Sequence, residues 1–416
     1  VAAGTRQATA SSQLDVRADF PILSREIRGR RLVYLDSAST SQKPERVIAA
    51  IDEYYRLHNA NIHRGVYTLA QEADALFEGA RERIAAFTGA GARTTIFTKN
   101  VTEAINLVAY SWGRTNLHEG DAVLITEMEH HSNIVPWQLA TEATGASLRY
   151  LDVNDDAGLS LDQLDAELAR GDVRLLALTH VSNVLGTINP VQEMVRRAHD
   201  ASALVLIDGA QAVPQMPVDV GEIGADFYAW TGHKALGPTG VGVLHANATL
   251  LDQMPPFLSG GDMIASVGRE RATWNELPWK FEAGTSMIAE VIGLGAAVDY
   301  LSDIGMERVR EHERALVAQT LAELAALEGV HTHGPASAAD RGGVVSFVID
   351  GMHPHDVAEL LGRQNVCVRA SHHCAQPLMA TLGVPATARA SFAPYNGADD
   401  VEALVEAIQG AQKVFA

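Results

Sequence analysis

Residues Ala229-Trp230-Thr231-Gly232-His233-Lys234 close an apolar run, Phe227 to Trp230, and place one lysine after small and polar residues. Upstream, Asp208 ends a second apolar run, Ala203-Leu204-Val205-Leu206-Ile207. An acid at one strand end and a lysine just past the next is the layout that pyridoxal phosphate (PLP) needs. The lysine amine bonds the cofactor aldehyde, and the carboxylate keeps the pyridine nitrogen protonated so that the ring accepts electrons. Taken alone, Lys234 reads as a solvated surface lysine, so the PLP reading rests on its neighbours.

Several neighbours fit. Asn100-Val101-Thr102-Glu103 follows a strand pattern and opens a helix, where free N–H groups and a hydroxyl suit a phosphate. Thr102 reads equally as an ordinary N-cap. Thr231 and His233, flanking Lys234, offer further donors, and Gln211 lies three residues beyond Asp208 within reach of a ring hydroxyl. His130 sits at a strand end, where its imidazole can stack on a flat ring. The pair His130-His131 points in two directions on a strand and lacks a third ligand, so no metal site is expected.

A second group lies far down the chain. Arg369-Ala370-Ser371-His372-His373-Cys374-Ala375 puts a cysteine beside histidines able to lower its pKa or carry its proton. Cys367, among valines, reads as an inert thiol. Arg389, inside Ala388-Arg389-Ala390-Ser391-Phe392, is a guanidinium in an apolar run and calls for a carboxylate, either bound or internal.

The elements that must carry these residues alternate. Strands are predicted over 94–98, 122–126, 174–179, 203–207, 227–230 and 240–244, and helices over 44–55, 71–87, 102–112 and 191–199. Continuous apolar runs with polar residues after each strand imply an α/β fold, a mostly parallel sheet flanked by helices with its ligand at the strand ends. After Gly284 come long helices, 286–304 and 306–327, then a strand over 343–349, a helix over 354–361 and a closing helix over 398–414. The expected division is a tail over 1–14, disordered, an N-terminal segment 15–29 packing with the small domain, a large domain 30–300 and a smaller α+β C-terminal domain 301–416 carrying the cysteine loop.

At 416 residues with a net charge of −19, the chain is too acidic for a nucleic-acid partner, and its apolar runs are too short to span a membrane. Two cysteines form no disulfide framework and leave one bridge as the only crosslink open. The first residues lack an apolar signal core, so the expected compartment is cytoplasmic.

With these residues in view, the chain resembles the group II (SUF-type) cysteine desulfurases, fold-type I PLP enzymes of the class V aminotransferase family related to selenocysteine lyases. The likeness runs from Val16-Arg17-Ala18-Asp19-Phe20-Pro21 to the last helix. It is carried by Glu129-His130-His131-Ser132-Asn133-Ile134-Val135-Pro136-Trp137, Thr231-Gly232-His233-Lys234 and His372-His373-Cys374-Ala375. The resemblance implies that Lys234 holds PLP, Asp208 pairs with its ring nitrogen, Gln211 binds its hydroxyl and His130 stacks on it. Thr102, Thr231, His233 and the Val101 N–H would hold the phosphate, and Thr285 would reach the phosphate of the other subunit in a homodimer. Asn183 and Arg389 would bind the L-cysteine carboxylate, Arg64 and Arg369 would line the pocket, and Cys374 would be the nucleophile. The product sulfur would pass to an acceptor protein and an iron–sulfur assembly scaffold. Ser371 stands where the family has glycine, and Val101 where a second hydroxyl is common. Selenocysteine lyase, and a sulfur-relay protein with a secondary active site, are the competing readings.

Overall fold

The computed structural model describes residues 14–415. The tail expected over 1–14 lies outside the described residues except for Leu14. That residue is buried at 9% exposure, and its N–H donates to His312 Nδ1 at 3.1 Å, so it belongs to the folded part.

The core is a seven-stranded sheet. Its strands are Thr95–Thr98, Ala122–Thr126, Ser147–Leu151, Val173–Thr179, Leu204–Asp208, Phe227–Thr231 and Gly242–Ala246. From one edge the order is Thr95–Thr98, Gly242–Ala246, Phe227–Thr231, Leu204–Asp208, Val173–Thr179, Ala122–Thr126 and Ser147–Leu151. All neighbours pair in parallel except Gly242–Ala246, which is antiparallel to both of its own. Six strands are nearly free of exposed positions because helices cover both faces. The seventh, Ser147–Leu151, is a half-exposed edge strand, and its polar pattern explains why the apolar-run criterion misses it.

On one face Thr68–Phe87 packs against Ile288–Ile304, and Gly295 leaves room for the approach because a Cβ there would lie 2.9 Å from Ala80 Cβ. The other face is covered by Val101–Leu107 and Val135–Thr144 with Trp137 fully buried. The helix predicted over 102–112 is α-helical only to Leu107 and then widens into a π turn, Val108–Gly113. Burial of each such large apolar side chain contributes roughly 1.5–3 kcal/mol.

A second, antiparallel sheet of four strands follows, in the order Val330–His333, Val344–Ile349, Thr387–Ser391, Arg369–Ser371. Arg369 and Arg389 are paired in register, so both guanidinium residues stand side by side. The N-terminal stretch ties into this part of the molecule. Arg17 and Arg31 ion-pair with the buried Asp400, Phe20 packs edge-on to Tyr395 at 4.7 Å, and Val33–Tyr34 pairs in parallel with Val366–Cys367. Both cysteines are free, so the single bridge left open by the sequence does not form.

Candidate active site

Two parallel strands end level where Thr179 pairs with Asp208, and the third passes Asp208's partner Ala229 to end at Thr231. Past these ends lies one cavity lined by Val101, Thr102, His130, Asn183, Asp208, Gln211, His233, Lys234, Arg369, Cys374 and Arg389, together with Ser39 and Ser132. Residues from both sheets therefore meet at the strand termini.

Lys234 closes a short 3-10 turn, Gly232–Lys234, directly after its strand. Burial lowers its pKa to about 8. Asp208 opposes that shift, and Arg389 and Arg369 reinforce it. Asp208 is 4% exposed, and burial raises its pKa. Ala210 N–H donates to Asp208 Oδ1 at 2.9 Å. A carboxylate this deeply buried demands a cation or a further donor.

His130 is placed by a rigid turn. The buried Glu129 accepts from Thr126 Oγ1 at 2.7 Å, from Thr179 N–H at 2.9 Å and from Asn133 Nδ2 at 2.7 Å, and Asn133 Oδ1 accepts from Trp137 Nε1 at 2.9 Å. Burial first, and the Lys234 charge second, hold His130 down at about 3, so its imidazole is neutral. Its Nδ1 lies 3.0 Å from Ser132 Oγ, which lies 2.7 Å from Thr102 Oγ1. Asn100, not Thr102, is the N-cap: its Oδ1 accepts from Glu103 N–H at 3.0 Å, so the Thr102 hydroxyl is not used for capping. Gly242 lets this loop in, because a Cβ there would lie 2.4 Å from the Asn100 carbonyl carbon.

Arg389 is fully buried and takes up the internal alternative in part. Its Nη2 is 3.3 Å from Asp36 Oδ1 and donates to Ser39 Oγ at 2.8 Å, its Nη1 donates to Asn183 O at 2.8 Å, and its Nε is buried without a partner. Arg369 Nη1 donates to the same Ser39 Oγ at 2.8 Å. Asn183 Nδ2 donates to His373 O at 2.8 Å. Two arginines against one carboxylate leave an excess of positive charge that suits an anionic substrate.

Three expected residues do not line this cavity. Thr231 is buried behind it, with Oγ1 unpartnered. Thr285 lines a separate cavity with Lys99, Glu103 and Leu258. Arg64 is a correction: its side chain is 63% exposed and is drawn outward to Asp262 Oδ1 at 3.2 Å, so it does not line the pocket of its own chain. Gly284 N–H donates to Gly261 O at 3.0 Å, so the Arg64 partner and Thr285 share one surface region. Ser39, Ser132 and Asp36 were missed. Ser132 lies inside the quoted histidine motif, whereas nothing in the spacing around Asp36 and Ser39 points to residues more than 300 positions away.

Residues 33–404 match the family model described as aminotransferase class-V. The chain belongs to the class-V aminotransferase family. Within it, a probable cysteine desulfurase of Halobacterium salinarum is 51% identical over 99% of this chain and 100% of its own length. A cysteine desulfurase of Klebsiella pneumoniae is 48% identical over 96% of this chain and 98% of its own. Among solved structures, the apo cysteine desulfurase of Thermococcus onnurineus superposes with a TM-score of 0.91 at 38% identity, covering 96% of this chain and 98% of that one. An Escherichia coli cysteine desulfurase in an S-sulfonic acid form gives 0.88 at 39% identity, with coverages of 96% and 98%. The fold is thus that of the fold-type I PLP enzymes, and PLP is the cofactor of this class-V family. The site suits it: Asp208 supplies a buried carboxylate with one backbone donor, and Lys234 is an amine whose pKa burial lowers to about 8. Among the described residues no cluster suited to a metal ion occurs, and no helix is long and apolar enough to cross a membrane.

Proposed function

We propose that this protein removes sulfur from free L-cysteine as a desulfurase, leaving L-alanine and a persulfide on Cys374. The observation that carries this reading is that Cys374, from the second sheet's loop, lines the same cavity as Lys234 and Asp208. A class-V enzyme that only moves amino groups needs the lysine and the acid but no thiol facing them.

PLP, when bound, withdraws electrons from the substrate α-carbon. The chain's own groups do the rest. Arg389 and Arg369 attract the substrate carboxylate and orient the amino acid. Lys234, an amine held near pH 8 by burial, takes the α-proton. His130, kept neutral, presents an uncharged imidazole to the cavity. Cys374 Sγ attacks the substrate sulfur, so an S–S bond forms as the substrate C–S bond breaks. The net change is L-cysteine plus Cys374–SH giving L-alanine plus Cys374–S–SH, with no outside oxidant.

The resemblance further supports passage of the sulfur to an acceptor protein for iron–sulfur cluster assembly and a homodimer in which Thr285 serves the neighbouring subunit. Exposed Val66 and Tyr67, close to Arg64 in the chain, suit such a contact. The test is turnover of cysteine to alanine and sulfide by the holoprotein and by Cys374→Ala. The variant is expected to keep the visible absorbance of bound PLP and lose turnover. Undiminished cysteine turnover in it would remove the nucleophile assignment and favour chemistry of the selenocysteine lyase kind.

A further inference from the structure

The sequence suggests histidines that serve the Cys374 thiol, yet in the structure two imidazoles accept from the loop's backbone, His372 from Cys374 and His131 from Gln376. Cys374 N–H donates to His372 Nδ1 at 3.0 Å. Gln376 N–H donates to His131 Nε2 at 3.1 Å, and His131 N–H donates back to Cys374 O at 2.7 Å. The two rings lie 5.5 Å apart, tilted by 36°. Between these grips, His373 and Cys374 adopt φ of 51° and 57°, two successive left-handed residues of which neither is glycine. Such a turn is not chosen by local preference and has to be held from outside.

An imidazole nitrogen accepts a hydrogen bond only while it carries no proton. The contacts therefore assign His372 as the tautomer with hydrogen on Nε2 and His131 as the one with hydrogen on Nδ1. The charged groups around this corner are the cations Lys234, Arg369 and Arg389 and the carboxylates Asp208 and Asp36 that face them. The other ionisable groups are His130, His373 and Cys374 itself. Burial and the neighbouring His372 both act against a charge on His131.

We propose that His131 and His372 are positioning residues for Cys374, which as hydrogen-bond acceptors hold the turn that presents the thiol to the Lys234 pocket. This rests on the reading that Cys374 is the nucleophile.

The test uses the holoprotein. His131→Gln and His372→Asn each keep an acceptor near the original nitrogen but cannot be protonated. His131→Leu and His372→Leu remove it. The leucine variants are expected to lose about 100-fold in kcat, the scale of a 1 Å misplacement, with cysteine KM within about threefold and PLP absorbance unchanged. The amide variants are expected to keep kcat within about threefold of the parent. Full kcat in the leucine variants, or a loss in the amide variants as large as in the leucine ones, would overturn the positioning role. Alkylation of Cys374, mapped by mass spectrometry at matched pH, reads the loop without turnover. It should be faster in the leucine variants than in the parent, and an equal rate counts against the proposal even if Cys374 proves not to be the nucleophile.

Discussion

Lys234 and Cys374 carry opposite burdens of proof at the level of single residues. The lysine is recognisable only through company: with Asp208, His130 and Gln211 it spans more than 100 positions of sequence, yet all four line one cavity. Because burial lowers the Lys234 pKa from 10.5 to about 8, its amine is neutral above that pH and protonated below it. The apoprotein should therefore capture added PLP faster as pH rises through about 8 and level off above, followed by visible absorbance. A rate that does not rise across that range would contradict it. Lys234→Ala is expected to give no lysine-bound absorbance at all. The histidines next to Cys374 were legible as residues that matter, but not in what they do. Whether an imidazole faces a thiol or a backbone N–H depends on a left-handed turn that no spacing reveals.

Elements explain why these residues are held so tightly. Gly242 starts the only antiparallel strand of the large sheet and abuts the Asn100 backbone, so Gly242→Ala forces apart the loop that presents Val101 and Thr102. A loss of about 1–3 kcal/mol is expected from such overpacking, read as a lower midpoint of chemical denaturation together with weaker PLP retention. Arg81, buried on the helix Thr68–Phe87, pairs with Glu282 at 2.7 Å and donates to Thr95 O at 2.9 Å. This clamp joins a helix, the edge strand and the segment leading to Thr285. Arg81→Ala leaves Glu282 buried without its partner and should cost about 3–5 kcal/mol in the same assay. Helix and strand existence was largely readable from apolar runs. The strand Ser147–Leu151 was not, since an edge strand carries polar residues on its open side.

For the molecule as a whole, the site is a seam. One wall comes from the ends of the large sheet. The other comes from the small sheet and its cysteine loop, while residues 36–39 thread between them to meet both arginines. The N-terminal stretch is bound to the far side through Asp400, whose carboxylate is fully buried and receives Arg17, Arg31 and Asn396. Asp400→Ala should free that stretch. Limited proteolysis is expected to cut within residues 14–31 faster than in the parent, and an unchanged cleavage pattern would show that Phe20 packing alone holds it.

The amino-acid order by itself determined the α/β class and pointed to Lys234 with Asp208 and to the Cys374 loop as candidates, through apolar runs, polar strand ends and short motifs. Only the tertiary structure decided that Arg64 turns outward to Asp262, that Asp36 and Ser39 join Arg389, and that His131 and His372 clamp a backbone. These are contacts between residues far apart in sequence or directions set by a backbone turn, and neither leaves a periodic trace in the chain.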